Sequence, residues 1–119
     1  MQEQFERLSQ IEPDVYFPGS VAPNPLALEI ARHLAEEFAH LPPCGMTSEP
    51  EDGAISFEWG FYGVFVTVEP NGNIDYNHFH GNDLSQETDK YFSYPNDLDK
   101  LREELEKVLP KQGSTIKLT

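Results

Sequence analysis

Ala27, Ile30, Ala31, Leu34, Phe38 and Leu41 recur at the 3.6-residue period of an amphipathic helix. Asn24 and Pro25 mark its start, because an Asn side chain caps free backbone N–H groups and Pro suits the first helical turn. Pro42 and Pro43 stop it. The period then falls to two. Ile55, Phe57 and Trp59 alternate with Ser56 and Glu58, the pattern of a strand with one buried face. Gly60–Gly63 reads as a turn and Tyr62–Glu69 as a second strand, rich in β-branched and aromatic residues. Pro70-Asn71-Gly72-Asn73 predicts a hairpin turn. Ile74–His80 follows as a third strand with Ile74, Tyr76, His78 and His80 on one face. Asp89–Tyr94 offers a short fourth strand around Tyr91 and Phe92. A last helix runs from Pro95 or Asn96 to Leu109, with Leu98, Leu101, Leu105 and Val108 as its stripe and Pro110 as its stop.

This order predicts an α+β, two-layer fold: a three- to four-stranded antiparallel meander with two amphipathic helices on one face. Residues 24–110 form the single domain. Residues 1–23, broken by Pro13, Pro18, Gly19 and Pro23, form an N-terminal arm, and 111–119 a C-terminal tail. Met46–Gly53 reads as an acidic loop. A chain of 119 residues is long enough to bury a core of its own. Its 14 aromatic residues offset an apolar fraction of only 38%.

Helices on one sheet face leave the other to solvent, to the arm or to a partner. If the row Val64, Val66 and Val68 packs under the helices, Phe61 and Phe65 turn outward, and Phe79 joins them near Glu58 and Asp75. Aromatic side chains set among acids are the composition of a protein-binding surface.

Charge sharpens this picture. Acidic residues outnumber Lys and Arg 21 to 8, for a net charge of −13. No Lys or Arg occurs between Arg32 and Lys90, a gap holding eleven acids. Such a field repels phosphate, so direct binding to nucleic acid or to an anionic membrane is disfavoured. The single cysteine, Cys44, has no internal disulfide partner. The N-terminal MQEQFERLSQIEPDVYF lacks the cationic start and apolar stretch of a signal peptide, and no apolar run nears the ~20 residues of a membrane span. A cytoplasmic protein is expected.

Candidate chemistry is thin. His78 and His80 share a strand face, an arrangement used by some metal sites, with Asp83 within reach from the following loop. A tight zinc site needs a third or fourth ligand, and no CxxC or HExxH supplies one. Glu37-Phe-Ala-His40 has the Glu-x-x-His spacing of di-iron bundles, but those need a second such motif and the last helix has no histidine. His33, Glu37 and His40 read better as one polar helix edge. Cys44 has no neighbour that would lower its pKa. No GxSxG, P-loop or GxGxxG occurs. The sequence calls for no cofactor and no metal.

The segment Asp52-Gly-Ala-Ile-Ser-Phe-Glu-Trp59, through Val64-Phe-Val-Thr-Val-Glu-Pro-Asn-Gly-Asn-Ile-Asp-Tyr76, resembles small acidic α+β proteins of bacterial and phage toxin–antitoxin or defence loci. In these, an aliphatic-x-x-x-Trp strand precedes a second strand, an Asp/Asn-Gly turn and an Ile-x-Tyr strand. No catalytic residue carries over from the resemblance.

The expectation is a non-enzymatic acidic protein that masks a basic surface of a protein partner, as an antitoxin, immunity protein or phage-encoded inhibitor does. Its carboxylates would stand in for the phosphates of a nucleic acid. The contact residues expected are Glu49, Glu51, Asp52, Glu58, Glu69 and Asp75, with Phe61, Phe65 and Phe79 as apolar anchors. Two alternatives stay open: a small metal-dependent hydrolase using His78 and His80, and a homodimeric structural or sensor domain closing over the free sheet face.

Overall fold

The computed structural model describes residues 2–80 and 87–110. Along the chain run α1 (Gln2–Ser9), α2 (Pro25–Glu37), β1 (Gly45–Ser48), β2 (Ile55–Trp59), a 3-10 turn (Gly60–Tyr62), β3 (Val64–Val68), β4 (Asn73–Phe79), β5 (Glu87–Ser93) and α3 (Leu98–Val108). Every strand pairs antiparallel with the next, giving the sheet order β1-β2-β3-β4-β5. The protein is α+β, with five strands where three or four were expected and three helices where two were expected.

Alternation decides which face is buried. Ile55, Phe57 and Trp59 of β2, Val64, Val66 and Val68 of β3, and Ile74 and Tyr76 of β4 are all buried beneath the helices. The valine row thus packs inward. Ala27, Ile30, Ala31 and Leu34 of α2 and Leu101 and Leu105 of α3 complete the core. Phe38 meets Phe57 and Trp59 edge-on, with ring centroids 5.3 and 5.6 Å away. Burying rings of this size contributes roughly 1.5–3 kcal/mol each. Trp59 keeps its polar end satisfied by donating Nε1–H to the Pro42 carbonyl at 2.8 Å.

The Asn24 side chain accepts from Leu26 N at 2.9 Å and Ala27 N at 3.2 Å, capping α2 as its sequence predicts. The helix itself stops at Glu37 rather than at Leu41. Phe38 and Leu41 remain buried, but they ride on tight turns in which Leu41 N–H donates to the Phe38 carbonyl at 2.9 Å.

The expected loop over Met46–Gly53 is corrected. Its first residues belong to β1, a short strand whose one large apolar residue is Met46, so alternation had too few positions to show itself. β5 likewise starts at Glu87, ahead of the expected Asp89. The start of the expected arm, where Phe5, Leu8 and Ile11 fall at helical spacing, carries the helix α1 lying on the domain. Phe5 and Leu8 of α1 are buried in the common core, Arg32 of α2 lies over the Phe5 ring at 5.1 Å, and Gln4 Nε2 donates to the Cys44 carbonyl at 3.0 Å. The start of the arm therefore joins the helical layer beside β1. The expected tail over 111–119, and Gly81, Asn82 and Asp83, lie outside the described residues. Among the described residues no helix is long and apolar enough to cross a membrane.

Candidate interaction surface

With α1, α2 and α3 on one side, the opposite sheet face carries no described helix. Register places its side chains in rows. Glu58, Phe65, Asn77 and Asp89 are successive partners across β2–β5. Thr47, Ser56, Thr67, Asp75 and Tyr91 form the next row across all five strands. Phe79 pairs with Glu87 beyond the first.

One end of this face is aromatic. Phe65 and Phe79 are half-buried and meet edge-on at 5.9 Å, the diagonal contact expected of neighbouring antiparallel strands. Gly63 makes that end of the sheet tight. Its φ is +68°, and a Cβ placed there would lie 2.7 Å from the Phe79 carbonyl oxygen, so only glycine fits. Phe61 caps the rim from the 3-10 turn, 93% exposed with its ring edge-on to Tyr62. Glu58 is half-buried beside this cluster and accepts from Thr47 Oγ1 at 3.1 Å.

The other end is a carboxylate cluster. Asp75 Oδ1 is buried and has no hydrogen-bond partner among the described residues. Burial pushes the Asp75 carboxyl up to about 7; a hydrogen bond with Asp89 and the charges of Asp89, Glu69 and Glu87 push in the same direction. Near neutral pH the Asp75 carboxyl therefore holds on to a proton that a cation placed beside it would displace. Tyr91, 65% exposed, sits in the same field, and its phenol is raised chiefly by Asp75 and Asp89.

Five of the nine expected contact residues, Glu58, Phe65, Glu69, Asp75 and Phe79, meet on this face, with Phe61 at its rim. Glu49, Glu51 and Asp52 do not. They lie in the β1–β2 connection, which is bound to the segment before α2 through Val21 N–H to the Pro50 carbonyl and Asn24 N–H to the Gly53 carbonyl, both at 2.8 Å. Asp89, Glu87 and Tyr91 belong to the face but were missed. Their signal was the alternation of Glu87, Asp89 and Tyr91 with Thr88, Lys90 and Phe92.

The described basic residues are segregated from this face. Of the six Lys and Arg among the described residues, Arg7, Arg32, Lys100, Arg102 and Lys107 lie on helices. The sixth, Lys90, turns inward and reaches Glu104 of α3 at 2.7 Å.

Other candidates carry less. His78 is half-buried and His80 lies just past β4, with ring centroids 4.3 Å apart. Desolvation and then the neighbouring His80 hold the His78 imidazole below its ordinary value. His80 Nε2 is bonded to Thr88 Oγ1 at 2.7 Å. Among the described residues no group of three His, Cys, Asp or Glu side chains has metal-binding geometry. Asp83, a ligand considered for this pair, lies outside them. Burial pushes the Cys44 thiol up to about 11, the reverse of what a nucleophile needs. Glu37 and His40 hold helices together: Glu37 pairs with Arg102 and His40 with Glu106, each at 2.8 Å. A cavity of about 440 Å³ opens between α2 and the β3–β4 turn, floored by Leu26, Ile30 and Gly72. His33 and Tyr94 close one side through a hydrogen bond between their side chains. No family model, curated protein or solved structure matches the chain.

Proposed function

We propose that the protein is a non-enzymatic acidic binding protein that masks a basic surface of another protein through its helix-free sheet face. The observation that carries this reading is the composition of that face: an aromatic pair and carboxylates from three strands and from Glu69 just past β3, with every described Lys and Arg side chain elsewhere. Phe65 and Phe79 supply apolar area that excludes water, while Glu58, Asp75, Asp89 and Glu69 supply charge that steers a cationic partner and fixes its register. A partner's Lys or Arg set against Asp75 favours its charged form and displaces its proton. An antitoxin, immunity protein or phage-encoded inhibitor working on a nuclease-like groove fits this chemistry, because such a groove already presents Lys and Arg to phosphate.

The test is capture from a native lysate at low salt, followed by a high-salt wash, with wild type and a Glu58→Lys/Asp75→Lys/Asp89→Lys variant as baits. Wild type is expected to retain a basic protein that salt releases, and the variant to lose it. Retention of the same protein by both baits, or of acidic proteins only, overturns the reading. Circular dichroism of the variant establishes that its fold is intact.

A further inference from the structure

The segment between α1 and α2 was expected to be an irregular arm, but it presents three consecutive apolar residues to solvent. Val15, Tyr16 and Phe17 are 60, 56 and 42% exposed, and Val21 is 37% exposed. A flexible chain would fold such residues inward. Here the backbone prevents it by closing on itself: Asp14 N–H donates to the Ser20 carbonyl at 2.9 Å, Ser20 N–H to the Phe17 carbonyl at 3.0 Å, and Gly19 N–H to Asp14 Oδ1 at 2.7 Å. Ser20 at its base is buried, and Pro13, Pro18 and Pro23 restrict the unfolded alternatives. The aromatic rings are thus held outward at little further entropic cost on binding.

The loop bonded to the base of this segment is acidic. Val21 and Asn24 tie this loop to the β1–β2 connection, so Glu49, Glu51 and Asp52 stand on the neighbouring loop, and Glu12 and Asp14 flank the apolar triplet in sequence. No Lys or Arg occurs between Arg7 and Arg32, or between Arg32 and Lys90. A purely apolar partner would desolvate these carboxylates unpaired, a second copy would face them with like charge, and an anionic lipid surface would be repelled. We infer that residues 14–21 and 49–53 form a second binding site, taking a cationic amphipathic segment of a partner protein. Tyr16 and Phe17 enter its apolar side, and Glu49, Glu51 and Asp52 pair with its Lys or Arg residues. The inference shares with the proposed function only the partner's positive charge; the surface is a different one.

The test is an amide NMR titration of the full chain with three synthetic peptides of equal length, built from Lys and Leu, from Lys and Gly, and from Gln and Leu. The Lys/Leu peptide is expected to shift the amides of 14–21 and 49–53 and to bind about tenfold more tightly than either control. A Tyr16→Ser/Phe17→Ser variant, altered only at exposed positions, is expected to bind it no better than the Lys/Gly peptide. Equal affinity for the Lys/Leu and Lys/Gly peptides, or an unaffected variant, overturns the inference. Shifts confined to β2–β5 overturn it while leaving the sheet-face reading standing, whereas shifts at the two loops support it whatever the sheet face does.

Discussion

Asp75 shows how one side chain links stability to recognition. Its carboxyl, ordinarily near 3.8, is pushed up to about 7 by burial and by the acids around it. The folded chain therefore holds this proton more tightly than the unfolded chain does. For such a group stability is fully present at low pH and declines as pH rises from near 4 to near 7, where the folded carboxyl finally ionises. Asp75→Asn removes that loss, since an amide carries no charge at any of these values. Urea unfolding should place the Asp75→Asn variant above wild type at pH 8, by a margin that is clearly smaller at pH 5. An equal difference at both pH values would mean that packing, not ionisation, distinguishes the two. The same position is costly for the isolated protein and useful to a partner, because a docked cation relieves the repulsion that neighbouring carboxylates impose.

Among the elements, legibility tracked the number of alternating positions each offered. Ile55–Trp59 shows a clean period of two and was placed from sequence with its buried face, whereas Val64–Val68 has apolar residues on both faces and its inward valine row was a supposition until the structure placed it. β1 was not, because Gly45–Ser48 has a single large apolar residue and is followed directly by Glu49, Glu51 and Asp52. Pairing register was a second barrier. In sequence Phe65 turns outward only if the valines turn in, and only the pairing of Glu58 with Phe65 and of Thr67 with Asp75 shows which acids share its face and which lie on a separate loop. Val15, Tyr16 and Phe17 were illegible for the opposite reason, since apolar residues in a row suggest burial, and only the loop's own hydrogen bonds reverse that. The β2–β3 junction carries its own prediction. Gly63→Ala forces a side chain into φ +68° and against the Phe79 carbonyl, so it should cost about 1–3 kcal/mol in urea unfolding. Substitution of Gly60, where a Cβ meets nothing, should cost less. Equal losses at the two positions would show that the close approach to β4 is not what requires glycine.

At the scale of the whole molecule, charge is sorted by layer. The helical side offsets part of its acidic charge through Arg102 with Glu37 and Asp99, Lys90 and Lys107 with Glu104, and Lys100 with Asp97. The sheet face and the loop at 49–53 hold carboxylates that no described base offsets. Salt acts on both populations, weakening the pairs and the repulsions together. With a net charge of −13 repulsion is the larger sum, and exposed pairs contribute little to begin with. The thermal midpoint should therefore rise as sodium chloride goes from about 0.01 to about 0.15 M, where the screening length shrinks from roughly 30 to 8 Å. The Glu58→Lys/Asp75→Lys/Asp89→Lys variant, whose three reversals of two charges each bring −13 to −7, should show a smaller rise. A midpoint that falls with salt would mean that the helical-layer pairs outweigh the repulsion. Equal increments in both proteins would place that repulsion away from the sheet face. The predicted pattern instead identifies the face as a store of unfavourable electrostatic energy. On the proposed reading a basic partner would release that energy on binding, which would give the complex a driving force that the free protein's own fold does not use.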